Sequence, residues 1–145
     1  MSDVLCVDDD TASAEAVADM LREFGHDVCV AAGVEAALSA MEVRTFEAVI
    51  AALPLRVAAA AVGPGTSDGL ASLQSCANGA PFIVTVRHPD ASRGVEALER
   101  GVLDYLTRPV RREALRLAVN QALEVGRLRR ENEDMRRELI VPAPS

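Results

Sequence analysis

Three consecutive carboxylates, Asp8, Asp9 and Asp10, directly follow the apolar run Val4 to Val7. Two such charges ~4 Å apart repel each other by roughly 4 kcal/mol at an effective dielectric constant of about 20, unless a counter-charge is present. Oxygen ligands gathered at one point suit a hard cation such as Mg²⁺, so Asp8 and Asp9 are candidate metal ligands. Alternatively, one of the three caps the following helix and the others are solvated. The triplet alone does not separate these interpretations.

A basic residue with a constrained neighbour follows a later strand-like run. Arg108 and Pro109 lie in the segment "DYLTRPV", and a proline at this position allows a cis peptide bond before it. If that run is a strand parallel to the first, Arg108 projects toward the same edge of the sheet as the carboxylates. The pattern is not specific by itself, but it would place a positive charge beside the acidic triplet.

The sequence between these residues alternates strand-like and helix-like segments five times. The helix-like segments have apolar residues three and four apart, and Gly25, Gly79 and Gly101 stand where helices are expected to end. Strands that are apolar on both faces indicate a covered parallel sheet, and right-handed crossovers make it a doubly wound, five-stranded α/β sandwich of three layers. Functional groups in such sheets collect at the carboxyl ends of the strands. The expected strands are "VLCV", "DVCVAA", "EAVIAAL", "PFIVTV" and "LDYLT".

Taken together, the segments "VLCVDDD", "FEAVIAALPL", "PFIVTVRH" and "DYLTRPV" resemble the receiver domain of bacterial two-component response regulators. The resemblance covers about residues 1–122 and includes the order, spacing and flanking residues of four motifs. It implies a flavodoxin-like fold in which a phosphoryl group passes from a histidine kinase to an aspartate of the receiver. In that family two acids follow strand one, the acceptor Asp follows strand three, Thr or Ser follows strand four, and Lys-Pro follows strand five.

Carried over to this chain, the family's site is incomplete. Asp8 and Asp9 match the metal-binding acids, but the acceptor position falls on Ala52. An aspartyl phosphate requires a carboxylate nucleophile, and alanine has only a methyl group. The alternative is phosphorylation of a different acid, either Asp68 before the third helix or the acid pair itself.

The hydroxyl position after strand four falls on Val86, and the small residue that normally follows it is replaced by Arg87. The resemblance therefore implies that the group which would bond a phosphoryl oxygen is missing. Arg87 is expected to crowd the mouth of the site or to reach back to the surplus acids. Because neighbouring residues of a strand point to opposite sides, Thr85 is expected to point away from the site. A one-residue misalignment would restore Thr85 to the hydroxyl position.

The lysine position falls on Arg108, which the expected Pro109 follows. Arginine keeps the charge but not the compact ammonium group, so the exchange is not conservative at a tight site. We expect Arg108 to form an ion pair with Asp8 or Asp9 in place of metal and phosphate, with a solvated arginine as the alternative. Tyr105 matches the aromatic switch position of strand five, on the face between helices four and five.

The connection from Leu53 to Asp68 is longer than the family's usual one by several residues. Its "GPG" excludes regular structure at that point. Two interpretations remain open: the Ala-rich part forms a helical turn over the empty site, or the segment is a mobile surface insertion.

The final helix is predicted to run from Arg111 to about Leu139, with Gly126 as the one residue that breaks the helical pattern. At ~1.5 Å per residue its length exceeds 40 Å by this rough estimate, more than a domain of this size covers. From Ala118 onward, positions alternately three and four residues apart form a heptad seam, which favours a dimeric coiled coil over a solvated single helix. The predicted dimer contacts are Val125, Leu128, Asn132, Met135 and Leu139.

These features predict a receiver-like domain at 1–122, a helical coiled-coil extension at 123–140 and a disordered tail or linker start at 141–145. A fifth helix of this kind resembles the N-terminal receivers of bacterial enhancer-binding activators, where it joins an ATPase. The glycine-containing segments here lack the Gly-Lys-Ser/Thr ending of a Walker loop. The chain is therefore expected to be either a fragment whose output domain is missing or a stand-alone adaptor with a protein partner.

Composition limits the classes of function. The chain has 145 residues, enough for one domain, and a net charge of −7 without a basic stripe, which argues against nucleic-acid binding. Cys6, Cys29 and Cys76 are widely spaced and are expected to be buried free thiols in a reducing cytosol. With neither a signal-peptide pattern nor an uncharged apolar run of ~18 residues, the chain is expected to be cytoplasmic and not membrane-bound.

The leading hypothesis is a phosphorylation-independent pseudo-receiver that acts as a signalling and protein-interaction module, is not an enzyme and regulates transcription. The first alternative is a phospho-accepting receiver with a non-standard acceptor. The second is a flavodoxin-like enzyme or cofactor binder, which the lack of a Gly-rich phosphate loop after strand one disfavours. No cofactor is expected, apart from weak binding of Mg²⁺ by Asp8 and Asp9.

Overall fold

The computed structural model describes residues 2–55, 69–87 and 91–139. Strands and helices alternate along this part of the chain, as the apolar periodicity predicted. The elements are β1 (Asp3–Val7), α1 (Thr11–Glu23), β2 (Asp27–Ala31), α2 (Val34–Val43), β3 (Ala48–Ala52), α3 (Gly69–Cys76), β4 (Phe82–Arg87), α4 (Ala91–Glu99), β5 (Asp104–Arg108) and α5 (Arg112–Leu139).

The strands form one parallel sheet in the order β2-β1-β3-β4-β5. This confirms the predicted doubly wound sandwich with a five-stranded sheet. The chain moves outward from β1 in one direction to β2 and in the other to β3, so the strand order reverses beside β1. Every residue of the central strand β3 is buried, because helices cover both of its faces.

The two faces of the sheet carry separate apolar clusters, because successive residues of a strand point to opposite sides. One cluster packs under α2, α3 and α4 and includes Leu5, Val49 and Leu73. The other packs under α1 and α5 and includes Ile50 and Leu115. Each large side chain that is fully removed from water contributes roughly 1.5–3 kcal/mol, so this layering is the main source of stability.

Glycines lie close to the ends of three helices, as predicted. Gly25, Gly79 and Gly101 have φ angles of 94°, 80° and 97°, in the left-handed region that glycine adopts without a steric penalty. The third helix ends earlier than expected, at Cys76, because the chain turns through Asn78, whose φ is 52°.

Helix α5 continues through Gly126 without a break over its 28 residues. Gly126 is buried, and a Cβ atom at this position would lie 3.3 Å from both the Glu47 carbonyl oxygen and the Pro81 Cδ. Glycine therefore lets the helix pass close to the amino-terminal edge of the sheet. One turn later, Arg129 Nη1 donates to the Gly79 carbonyl over 3.2 Å. Contacts between α5 and its own domain thus extend beyond residue 122, to Arg129.

The predicted heptad seam divides into two parts. Ala118, at its start, is 2% exposed and belongs to the core of its own domain, so the expectation that the seam begins there is wrong. Leu128 and Met135, one heptad apart, are 50% and 63% exposed. The seam is therefore buried in its own domain at its start and carries exposed apolar side chains on its later part.

No helix in the described ranges of the chain has both the length and the apolar character needed to cross a membrane. The three cysteines are free thiols, but they are not all buried as expected. Cys6 is buried in β1, Cys29 is half-buried and Cys76 is exposed, because α3 is amphipathic and Cys76 ends it on the solvent side.

Cys6 makes folding sensitive to alkaline pH. Burial, with a smaller contribution from the Asp8 charge, raises the pKa of its thiol from 9.0 to about 12. Since the thiolate forms more readily in the unfolded chain, stability is fully present below pH 9.0 and falls as the pH rises toward 12. We expect the wild type to lose up to about 1.4 kcal/mol per pH unit more than a Cys6→Ala variant in that window, measured by urea unfolding. Equal pH slopes would contradict this assignment.

Candidate functional site

The carboxyl ends of four neighbouring strands bring the predicted site residues to one edge of the sheet. Asp8 follows β1, Ala52 ends β3, and Arg87 and Arg108 end β4 and β5. Arg87 and Arg108 are register partners in the parallel sheet, as are Ala52 and Thr85. This is the edge at which open α/β sheets place their binding sites.

The three carboxylates of the acidic triplet have different environments. Asp10 caps α1, and its side chain accepts hydrogen bonds from the backbone nitrogens of Ala12 and Ser13. Asp8 is 5% exposed, and its Oδ1 accepts a hydrogen bond of 3.0 Å from the backbone nitrogen of Asp10. Asp9 is exposed. The helix-cap interpretation is therefore confirmed for Asp10. Of the other two acids Asp8 is buried rather than solvated, and their role as metal ligands stays a prediction.

Ala52 is 6% exposed at the end of β3, so a methyl group occupies the position that the family resemblance assigns to the acceptor. Among the described residues, no group of three His, Cys, Asp or Glu side chains is placed to hold a metal ion. Asp8 and Asp9 would hold a Mg²⁺ ion through two carboxylates, with its other positions left to water, and this binding stays a prediction.

The alternative acceptor Asp68 and the connection 56–68 lie outside the described residues. The two interpretations of that connection, a helical turn or a mobile insertion, therefore stay predictions.

Thr85 lies on the same side of the sheet as Ala52. The two are register partners, and the preceding partners Ile50 and Ile83 both belong to the cluster under α1 and α5. The register thus places Thr85 level with Ala52, while the expectation that its hydroxyl points away from the acceptor position stays a prediction. Its side chain is buried, with 3% exposed.

Val86 points to the opposite side of β4 and is fully buried. Valine has no hydroxyl to offer at this position, and the neighbouring Thr85 is the register partner of Ala52. The sequence contained the residue types but no signal for the strand register that pairs Thr85 with Ala52.

Arg108 does not form the expected ion pair. Its Nη2 donates to the Leu53 carbonyl oxygen over 2.6 Å, and within the described part of the chain no ion pair joins it to Asp8 or Asp9. The long guanidinium reaches the carbonyl just beyond β3, where the strand ladder has ended. The Nε atom of Arg108 is buried and has no hydrogen-bond partner among the described residues.

The peptide bond between Arg108 and Pro109 is cis, as the proline allowed. Arg87 has an exposed side chain at the end of β4, beside Arg108. Sequence reasoning did not identify Leu53 as a member of the site, because it contributes a backbone carbonyl that is independent of side-chain type.

The hydrogen bond from Arg108 leads to a stability prediction. We expect Arg108→Ala to destabilise the protein by about 1–3 kcal/mol, the usual effect of removing a hydrogen bond from a charged donor. The loss should change little between low and high salt, because the acceptor is a neutral carbonyl. Urea unfolding at two salt concentrations measures it, with Arg111→Ala, an exposed neighbour, as the control. A loss that disappears at high salt would instead indicate an ion pair with the acids.

Tyr105 lies on β5, half-buried against the cluster under α2, α3 and α4. Its register partner is Val84, so the ring lies on the same side of the sheet as Val84 and Val86. One part of the Tyr105 side chain therefore packs against the interior, and another part is exposed to solvent.

Comparison with known proteins assigns the chain to a family. A profile of the response regulator receiver domain matches residues 4–120. The chain belongs to this family, and it is a receiver of two-component signalling.

Curated relatives are regulators of greater length. The tetrathionate response regulatory protein TtrR of Salmonella typhimurium is 30% identical over 127 residues, which are 87% of this chain and 58% of that protein. The transcriptional regulatory protein ZraR of Escherichia coli O157:H7 is 31% identical over 124 residues, which are 83% of this chain and 26% of that protein. This chain therefore spans less than two thirds of either relative.

Solved structures agree on the fold. NtrX from Brucella abortus superposes with a TM-score of 0.79 at 28% identity, over 92% of this chain and 29% of that one. A response regulator receiver domain protein from Clostridium thermocellum has a TM-score of 0.74 at 21% identity, over 88% of this chain and 98% of that one. The second likeness concerns the fold alone, and it spans nearly the whole of a receiver domain.

Proposed function

We propose that this chain is a phosphorylation-independent pseudo-receiver, a cytoplasmic protein-interaction module that regulates transcription and catalyses no phosphoryl transfer to itself. The observation that carries the proposal is the buried methyl group of Ala52 at the end of β3. A phosphoryl group can be accepted there only by a nucleophilic oxygen, which alanine lacks. The membership in a receiver family makes this position the one where an acceptor is expected.

The remaining residues of the edge support the same proposal. Asp8 and Asp9 give two carboxylates but no third ligand among the described residues, and Arg108 is held on the Leu53 carbonyl rather than directed at an anion. Binding of Mg²⁺ by Asp8 and Asp9 is therefore weak at most. The chain is expected to signal through its abundance and its partners, because a ligand that does not distinguish two states cannot shift their equilibrium.

Treatment with acetyl phosphate and Mg²⁺ tests the proposal, with intact-mass spectrometry as the measurement. We expect no increase in mass, while a receiver with an intact acceptor Asp gains one phosphoryl group in parallel. A phosphoryl adduct on the wild type would overturn the proposal in favour of a non-standard acceptor. Asp8→Asn, Asp9→Asn and Asp68→Asn variants would then identify the acid that carries it.

The second part of the proposal is a homodimer formed by the helical extension 123–140, with Val125, Leu128, Asn132, Met135 and Leu139 along the seam. Leu128 and Met135 support it, because both are exposed apolar side chains one heptad apart. Arg127 bonds Glu124 and Glu131 on its own helix, at 2.5 and 2.6 Å, so the extension has intrahelical support beside that stripe.

The third part of the proposal is an output domain or a separate protein partner beyond the helical extension. The curated relatives are longer than this chain, and several are transcriptional regulators. Residues 141–145 would then be a disordered tail or the start of a linker; this segment lies outside the described residues.

A further inference from the structure

Gly94 lies in α4 directly against the ring of Tyr105. A Cβ atom built at Gly94 would lie 2.5 Å from both Cγ and Cδ2 of Tyr105, and 3.0 Å from Cε2. Such distances are well inside van der Waals contact, and Cγ is the fixed base of the ring rather than the mobile end of a side chain. Any residue other than glycine at position 94 would therefore displace this ring.

No local feature of the backbone requires glycine at this position. Gly94 is the fourth residue of α4 and is not among the glycines with positive φ, which are Gly25, Gly79 and Gly101. Within a helix, glycine is less favourable than alanine because it loses more backbone entropy on folding. The contact with Tyr105 therefore gives the physical reason for a glycine that otherwise only weakens α4.

We propose that Gly94 is a positioning residue that holds Tyr105 in a single rotamer against α4. The surface of α4 and β5 is then determined by this packing rather than by the carboxyl-end pocket, where Val86 presents no hydroxyl. This role of Gly94 rests on the proposed function. It explains how a receiver without an acceptor keeps its α4–β5 surface in a single conformation. The Tyr105 ring occupies the space on α4 that a side chain at position 94 would otherwise fill.

The composition of the chain makes the ring directly observable. Tyr105 is the single tyrosine and there is no tryptophan, so tyrosine-selective NMR signals report this ring alone. We expect Gly94→Ala to shift the ring signals and to change the χ1 rotamer. Gly33→Ala is the matched control, because a Cβ there meets nothing within 4 Å, and it should leave the ring signals unchanged. Unchanged ring signals in folded Gly94→Ala would overturn the proposal.

A double-mutant cycle keeps the test decisive if Gly94→Ala folds poorly. In the wild-type background Gly94→Ala should lower the folding equilibrium constant. In a Tyr105→Ala background the clash is gone and the gain in helix propensity remains, so the same change should raise it. A coupling of roughly tenfold or more supports the proposal, and additive effects would overturn it.

Acetyl phosphate and Mg²⁺ added to the wild type in the same NMR experiment separate the two proposals. Unchanged ring signals support a Tyr105 position that is independent of the pocket. A shift that accompanies a phosphoryl adduct would overturn the proposed function and this independence. Failure of Gly94→Ala to move the ring would overturn the role of Gly94 alone.

Discussion

A variant with Ala52→Asp, Val86→Thr and Arg108→Lys is expected to take up a phosphoryl group from acetyl phosphate in the presence of Mg²⁺. The new aspartate would stand at the end of β3 beside Asp8 and Asp9, and would supply both the nucleophile and the third carboxylate of a metal site. Intact-mass spectrometry should change from no adduct to a substantial fraction of singly phosphorylated protein.

Ala52→Asn in the same background is the matched control, because asparagine has the size of aspartate but no nucleophilic carboxylate. It should remain unmodified. If the variant that carries Ala52→Asp folds and also remains unmodified, then the residues carried over from the family are insufficient. Obstruction by Arg87, which is exposed at the end of β4, would be the next test, through an added Arg87→Ala change.

Leu128→Glu together with Met135→Glu is expected to convert a dimer into a monomer. Both side chains are exposed on α5 and would be enclosed in a dry seam in the proposed dimer. An unpaired charge buried in such a seam costs several kcal/mol, so the dissociation constant should rise by at least about 100-fold. Sedimentation velocity across a concentration series measures this change.

Leu117→Glu is the control, because Leu117 is 61% exposed on the same helix but lies outside the extension. It should not alter the oligomeric state. A wild type that is monomeric at tens of micromolar (roughly the range in which weak dimers form) would contradict the dimer. If the double variant stays dimeric, the dimer interface must lie on another surface, such as the face around Tyr105.

The element order and the place of the site could be predicted from the sequence because both depend on local rules. Short continuous apolar runs predict buried strands, and apolar residues three and four apart predict helices. Gly25 and Gly101 end helices through their own backbone freedom. The location of Ala52, Arg87 and Arg108 at one edge is then a consequence of parallel strands. Recognition of the family depended on the same short segments, and the profile match to residues 4–120 agrees with it.

The partners of these residues required the folded structure, because they join segments far apart in the chain. Arg108 was expected on a carboxylate, yet it donates to the Leu53 carbonyl, which no residue type reveals. The pairing of Thr85 with Ala52 is likewise set by the register between β3 and β4, which no local pattern reveals.

The two glycines inside helices, Gly94 and Gly126, also show which features the sequence reveals and which require the folded structure. In the sequence, Gly126 is a weak point in a heptad pattern and Gly94 has no evident role within α4. In the structure, α4 packs too closely against Tyr105 for a side chain at Gly94, and a Cβ at Gly126 would make a tight contact of 3.3 Å with Glu47 and Pro81. By itself the sequence determined the fold class and the absence of a carboxylate at position 52, because these depend on residue type and local pattern. Strand register, hydrogen-bond partners and close helix contacts were decided only by tertiary structure, because they depend on distances between segments that the chain brings together on folding.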